Sequence, residues 1–168
     1  EKGCYGKTLN RIHRKKYNEE ASILGSLHSN PSDYRGAFTS VSYSIRSMYF
    51  HSYQSFIWNH LITRRIRKYG LTPVVGDLVF KEGSSKVDNA KNMQVEHITE
   101  ETIHNYTIFD VIMPLPGTEV QYPLHEMNED AYLELMANDG ITMEHYKYVE
   151  KDYLLFGSYR HLLVQPLD

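Results

Sequence analysis

The chain has 168 residues, of which 41% are hydrophobic, 23% charged and 12% aromatic, and its formal net charge is −3. A single cysteine, Cys4, excludes a disulfide framework within the chain and a multi-cysteine zinc site, and no apolar run approaches the roughly 20 residues of a membrane span. The small net charge hides a division, because residues 1–76 hold twelve Lys and Arg against four Asp and Glu, whereas residues 77–168 hold six against seventeen. Such a division is typical of a protein with one face for a polyanion, or of one domain whose halves neutralise each other. The length predicts a single domain over residues 1–168.

The N-terminal half is predicted to be helical. Residues 1–6 do not form a secretory signal and do not include an initiator methionine, so we expect the chain to start inside a longer protein. Apolar residues recur at helical spacing over residues 7–29, which predicts one or two short helices ended by a turn at 30–33. Over residues 41–69 they recur at three and four, and Gly70 is placed as a stop, which predicts one long helix.

The second half mixes short strands with short helices. Four segments rich in β-branched or alternating apolar residues predict strands: 74–80, 93–98, 106–113 and 159–164. Three segments are predicted as other elements: a polar loop at 82–92, a capped helical turn at 99–103 and a helix at 128–138. The two prolines within 114–117 are expected to end the third strand because proline cannot donate to a ladder. Helices followed by mixed elements predict an α+β fold.

Several familiar kinds of catalytic or metal site find little support. Among nine histidines there is no His-Glu-x-x-His run, and His51 and His60 lie nine residues apart on nearly opposed faces of the predicted helix. Asp77 and Asp110 could act as nucleophiles or general bases. However, an aspartate beside a glycine or at a strand edge more often binds the local backbone.

The long predicted helix carries the strongest indication of binding. Ser52, Ser55, Asn59 and Thr63 follow one another at spacings of three, four and four, beside a surface rich in aromatic residues. Arginines and a lysine at positions 64–68 then extend the same helix with donors suited to phosphate. Two interpretations stay open, a surface for nucleic acid or another polyanion and a buried helix that packs its polar strip against a neighbouring element.

Four segments resemble motifs of one enzyme family. They are Tyr-Phe-His-Ser-Tyr-Gln-Ser-Phe-Ile-Trp-Asn at 49–59, Gly-Asp-Leu-Val at 76–79, Asp-Val-Ile-Met-Pro-Leu-Pro-Gly at 110–117 and Gly-Ser-Tyr-Arg at 157–160. Together and in this order they resemble the TruD family of RNA pseudouridine synthases, in its eukaryotic form. The resemblance covers most of residues 44–162.

The resemblance implies a role and a location for the chain. It would be the family's α/β insertion domain, which faces the catalytic domain of the same polypeptide across a positively charged cleft that holds RNA. The parent reaction would flip a uridine out of its stack, break its glycosidic bond with the help of an aspartate, and rejoin the rotated base through carbon five. No metal or organic cofactor and no membrane are implied. The RNA would be tRNA or mRNA, and the compartment would be the nucleus, with the cytoplasm and mitochondrion as alternatives.

The family's catalytic aspartate lies in a Lys-Asp-(Lys/Arg)-Arg-Ala type motif, which this sequence lacks. Neither Asp77 nor Asp110 matches it, so the resemblance implies that no residue of this chain is catalytic. The residues expected to line or brace the cleft are His51, Gln54, Ser55 and Asn59. Those expected to contact or steer the RNA backbone are Arg46, Arg64, Arg65, Arg67 and Lys68, with Arg160 near the return to the catalytic domain.

Two other functions stay open. The parent protein could have lost catalysis and kept this domain for binding RNA or docking a protein. The acidic half could also dock a protein partner through four tyrosines, Tyr122, Tyr132, Tyr146 and Tyr148.

Overall fold

The computed structural model describes residues 2–13, 15–82, 94–147 and 155–166. The chain divides into two compact units, Glu1–Ser52 and Tyr53–Asp168. All of the predicted polar loop at 82–92 except Glu82, together with Tyr148, lies outside the described residues. No helix in the described part is long and apolar enough to span a membrane.

The first unit consists of helices: α1 (Lys2–Arg11), α2 (Asn18–Ser29), α3 (Tyr34–Thr39) and the beginning of α4 (Tyr43–Tyr69). The two short helices predicted over residues 7–29 are confirmed. Helix α3 was not predicted, because Asp33 was interpreted only as a turn former. Its carboxylate accepts a hydrogen bond from the Gly36 amide at 2.7 Å, which makes it an N-cap.

The second unit combines the rest of α4 with a four-stranded antiparallel sheet, which confirms the α+β fold. The strands are β1 (Leu78–Phe80), β2 (Val95–His97), β3 (Val111–Leu115) and β4 (Ser158–His161), in the order β2-β1-β3-β4. A 3-10 turn (Ile103–Asn105) precedes β3, and helices α5 (Glu129–Ala137) and α6 (Met143–Lys147) lie between β3 and β4 in sequence. The predicted helix at 128–138 corresponds to α5, which has Asn128 as its N-cap. Helix α6 was not predicted.

The long helix ends where its sequence indicates. Gly70 has a φ of +68° and its amide donates to the Ile66 carbonyl, so it closes α4 in the left-handed conformation that glycine adopts without strain. The prediction of one long helix is therefore confirmed to within two residues at its start.

Two predicted strands begin later than expected because an aspartate closes a turn before each. The Asp77 carboxylate accepts from the Val74 amide at 2.8 Å, so β1 starts only at Leu78. Asp110 likewise accepts from the Thr107 amide and hydroxyl at 2.8 and 2.7 Å, so β3 starts only at Val111. Both aspartates thus make the local backbone bonds that their sequence context favours.

The expectation that Pro114 ends its strand is wrong, because β3 continues through it to Leu115 and pairs it with Tyr159. The Leu162 amide donates to the Val111 carbonyl. The alternation of an antiparallel ladder then turns the backbone nitrogen and oxygen of Pro114 away from β4. On that other side β1 pairs no farther than Leu78 with Ile112, so no ladder bond needs the missing N–H.

The core of the sheet is a cluster of Leu78, Val95, Ile112 and Tyr159. Helix α4 contributes Ile57 and Leu61, both fully buried, from its inner face.

Candidate nucleic-acid interface

The inner face of α4 is fixed to β3 and its extension by side-chain donors. The amide of Gln54 donates to the Pro116 carbonyl at 2.7 Å, and Nε1 of Trp58 donates to the Met113 carbonyl at 3.0 Å. From α5, the fully buried hydroxyl of Tyr132 donates to the Pro114 carbonyl at 2.8 Å. All three bonds satisfy main-chain oxygens that the sheet leaves unpaired or half paired. The two from Gln54 and Trp58 also set the rotation of α4 about its axis.

Arg65 lies in the interior rather than on the RNA-facing surface predicted for it. Its side chain is 0% exposed and forms an ion pair with Asp77, with Nη2 2.6 Å from Oδ2 and Nε 3.2 Å from Oδ1. Nη1 and Nη2 also donate to the carbonyls of Gly70 and Thr72 at 2.8 and 2.7 Å. Because all these donors hold the turn after α4, Arg65 is corrected from an RNA contact to a structural residue.

Asp77 is the centre of this buried network. Its Oδ1 accepts from Nε2 of His125 at 3.0 Å, and His125 Nδ1 accepts from the Met127 amide, so the ring carries its hydrogen on Nε2. Burial alone would raise the pKa of the Asp77 carboxyl, but the hydrogen bonds from His125, Arg65 and the Val74 amide hold that pKa below its ordinary value. An ionised, fully occupied carboxylate at this position has no oxygen available for catalysis.

Gln54 was expected to line or brace the cleft. It does not line an exposed surface, because it is only 3% exposed, and its amide donates to the Pro116 carbonyl, which leaves bracing as its predicted role. In the polar strip itself, Ser52, Asn59 and Thr63 are exposed and Ser55 is half-buried. The strip therefore does not match the second interpretation of the sequence, in which it is buried against a neighbouring element.

The outer face of α4 in the second unit carries the remaining predicted residues. Ser55 is half-buried, and five side chains after it are exposed: Asn59, His60, Thr63, Arg64 and Arg67. We call this set, with Phe56, the outer face of α4; Ser55 and Arg64, nine residues apart, lie at its two opposite edges. The helix has five cations and no Asp or Glu over its 27 residues, so no acidic side chain of its own opposes an approaching anion.

Arg160 joins this face from β4. Its Nη1 donates to the Ser55 hydroxyl at 3.2 Å, and its guanidinium carbon lies 5.8 Å from the centroid of the Trp58 ring. The hydroxyl and the ring hold an exposed guanidinium against α4, although Ser55 and Arg160 lie 105 residues apart in sequence. Trp58 was not among the predicted site residues, and its place three residues after Ser55 was the signal that could have identified it.

The remaining predicted site residues, Lys68, Arg46 and His51, lie in different parts of the fold. Lys68 is partly exposed, forms an ion pair with Glu126 and lies 5.5 Å from the Tyr69 ring centroid. Arg46 and His51 belong to the first unit, where Nη1 of Arg46 donates to the Thr39 carbonyl at 2.6 Å and His51 is exposed.

The tyrosines proposed to dock a protein do not form an exposed patch. Tyr132 and Tyr146 are 0% and 4% exposed, Tyr122 is half-buried, and Tyr148 lies outside the described residues. Burial raises the pKa of the Tyr146 hydroxyl to about 12, as expected for a phenol in the core. Tyr132 and Tyr146 are core side chains that cannot meet a partner, so the docking function is corrected for these two residues.

The class of fold is defined by comparison with a solved structure. The chain superposes with a TM-score of 0.74 on a crystal structure of a protein described as tRNA pseudouridine synthase D (TruD) from Methanosarcina mazei, at 24% identity, over 96% of this chain and 38% of that one. At this identity the likeness concerns the fold.

The family follows from the sequence comparisons. The family model described as tRNA pseudouridine synthase D (TruD) matches residues 1–168, and the chain belongs to this family. It is 42% identical over 130 residues to mouse pseudouridylate synthase 7 homolog, covering 77% of this chain and 18% of the mouse protein. It is 32% identical over 176 residues to multisubstrate pseudouridine synthase 7 of Schizosaccharomyces pombe, covering 93% of this chain and 26% of the yeast protein. The chain thus spans about a fifth to a quarter of these relatives.

Proposed function

We propose that this chain is the insertion domain of an RNA pseudouridine synthase and that it binds RNA for the isomerisation of uridine to pseudouridine in tRNA or another RNA. Membership of the family and the names of the relatives support the reaction class. The parent polypeptide would work in the nucleus.

The observation that carries the binding role is the placement of Arg160 on the outer face of α4. A guanidinium held over Trp58 and against Ser55 presents its other N–H groups in a fixed direction, which is suited to a phosphate. Asn59 supplies an exposed amide on the same face, and Arg64 and Arg67 supply exposed cations one and two turns farther along α4. This arrangement gives a phosphate-backbone path with polar groups beside it.

The chemistry of the reaction would take place on another part of the polypeptide. Isomerisation breaks the bond between the ribose and the base nitrogen and forms a bond from the ribose to carbon five. Carbon five loses its proton and the freed nitrogen gains one, so the composition is unchanged, and the reaction needs a carboxylate that can reach the ribose. Asp77 is buried and accepts hydrogen bonds from three residues, Arg65, Val74 and His125, and Asp110 is bound to Thr107. The domain would therefore hold the RNA while a catalytic aspartate elsewhere acts on the flipped base.

The test is the substitution Arg160→Gln in the complete enzyme. We expect weaker RNA binding and a salt dependence, log K against log salt, that is flatter by about 0.7 to 1, the value for one lost phosphate contact. Lys147→Gln is the control, since this exposed lysine lies in α6 of the same unit. An Arg160→Gln enzyme with an unchanged salt slope would refute the binding role.

The release of tritium from RNA that contains 5-tritiated uridine separates this function from its alternative, a non-catalytic RNA-binding module. An active parent enzyme releases tritium, and Arg160→Gln slows that release at limiting RNA. If the parent protein binds RNA with the expected salt slope but releases no tritium, the catalytic half of the proposal is wrong and the binding half stands.

A further inference from the structure

A row of rings lies on the outer face of α4. The rings of Tyr53 and Phe56 are stacked, with centroids 6.1 Å apart and planes at 24°. The ring of His60 also packs against Phe56, with the two centroids 4.3 Å apart and the planes at 53°. Phe56 is nevertheless 45% exposed, so the row is part of the surface and not of the core.

The imidazole of His60 is fixed in place. Its Nδ1 lies 3.0 Å from the Phe56 carbonyl oxygen, and because a carbonyl only accepts, Nδ1 carries the hydrogen. The hydrogen bond and the ring contact together hold the imidazole beside Phe56 without burying it. Little side-chain freedom would be lost when another flat group stacks on this pair.

The ends of the row carry opposite charges. At the Tyr53 end, the phenol hydroxyl donates to the Asp139 carboxylate at 2.9 Å. At the other end, Arg64 follows His60 by one turn, about 6 Å along the axis, and Arg67 follows by another turn. Both arginines are exposed. A polyanion that crosses the row is attracted to the arginine end and repelled from the carboxylate end, which gives it one direction.

We propose that Phe56 and His60 form a stacking platform for an unpaired base of the RNA, with Arg64 and Arg67 at the phosphates that adjoin that base. This inference rests on the proposed function and adds to it that the recognised RNA is locally single-stranded. Aromatic faces stack on any base, so the platform supplies affinity without reading sequence. The absence of acids from α4 favours RNA over an apolar or basic peptide as the occupant.

The experiment uses the complete protein and a short uridine-rich oligoribonucleotide that carries 2-aminopurine, whose fluorescence falls when it stacks. With the unmodified protein we expect quenching on binding, at one or two positions of the 2-aminopurine along the oligonucleotide. Phe56→Leu keeps an apolar side chain but removes the ring, so it should abolish the quenching and weaken binding about 5-fold or more. Phe56→Tyr should restore both, since it keeps the ring.

The matched control is Phe109→Leu, because Phe109 is exposed to a similar extent, 42%, and lies outside α4. It should leave quenching and affinity unchanged. The platform is refuted if Phe56→Leu binds and quenches as the unmodified protein does. It is also refuted if that variant only lowers the unfolding temperature, which would mean that another segment of the protein covers the rings.

The charge variant Arg160→Gln separates the two proposals. If it still weakens RNA binding while Phe56→Leu has no effect, the platform fails and the RNA-binding function stands. If the complete protein binds no RNA, both fail.

Discussion

Replacement of Arg65 by methionine tests the buried network most directly. Methionine keeps much of the length and apolar volume of the arginine side chain but removes every donor to Asp77, Gly70 and Thr72. The Asp77 carboxylate, 1% exposed, would then have no cation beside it and would keep only its bonds to His125 and the Val74 amide. The perturbation is therefore an uncompensated buried charge.

The cost follows from this geometry. Removal of one partner of a buried ion pair costs about 3–5 kcal/mol, a large part of the roughly 5–15 kcal/mol by which domains are stable. For a chain of this size, such a loss lowers the unfolding temperature by about 6–20 °C. The double variant Arg65→Met/Asp77→Asn should be more stable than Arg65→Met alone, because the asparagine leaves no buried charge.

The assay is urea or thermal unfolding followed by the fluorescence of Trp58, the single tryptophan, which belongs to the same unit as Arg65. Arg64→Met is the matched control, because Arg64 is the exposed neighbour and its replacement should change the unfolding free energy by no more than about 0.5 kcal/mol. A loss below about 1 kcal/mol for Arg65→Met, or a double variant no more stable than the single one, would contradict this account of the network.

Two further predictions concern backbone space at two glycines and the titration of Asp77. Gly117→Ala should lower the unfolding free energy by about 1–3 kcal/mol, because a Cβ at this position would overlap the backbone of Gly157. Gly25→Ala in helix α2 is the control, because its Cβ would meet no atom and the change should be neutral or stabilising. Thermal unfolding of the two variants measures the difference. The pKa of Asp77 is lowered in the folded state, so its contribution to stability is complete above its unfolded value of 3.8 and is lost as the pH falls from there through the folded pKa. The pH-dependent part of the stability difference between the unmodified chain and Asp77→Asn should therefore begin to shrink as the pH falls below about 4 and vanish only below the folded pKa, as acid unfolding profiles of the two would measure.

The long helix was predictable because one pattern covers 27 residues without interruption. The burial of Arg65 was also within reach of the sequence. It lies four residues after Leu61 and eight after Ile57, on the stripe that faces the core. The prediction of an RNA contact gave more weight to the charge of Arg65 than to its helical position, and the acid that pairs with it, Asp77, was recognisable only as a turn residue.

The strand boundaries were less predictable because they depend on neighbours. Val74 to Gly76 have strand-like composition, but the Asp77 carboxylate closes a turn there. Pro114 favours a turn, but β1 does not extend as far as the position beside it, so its missing N–H costs no hydrogen bond. In both places a tertiary contact overrides the local preference. The same limit applies to Arg160, whose distance from Ser55 in sequence conceals their contact.

The basic and acidic halves of the sequence are partly paired with each other in the fold. The basic residues 64–68 belong to the same unit as the acidic second half, and two of them meet its acids, Arg65 with Asp77 and Lys68 with Glu126. Among the described residues, Arg64 and Arg67 form no ion pair. The part of α4 in the second unit therefore offers fewer cations to RNA than its sequence suggests.

A triple variant that replaces Arg64, Arg67 and Arg160 by glutamine should flatten the salt dependence of RNA binding by about two, since each single-strand phosphate contact contributes about 0.7 to the slope. Lys68→Gln should change the slope much less, because Lys68 already has Glu126 as a counter-charge. Both slopes come from titrations of one oligoribonucleotide over a range of salt concentrations. If Lys68→Gln flattens the slope as much as the loss of one of the three arginines does, the prediction is wrong, because the ion pair with Glu126 would then not reduce the contribution of Lys68 to RNA binding.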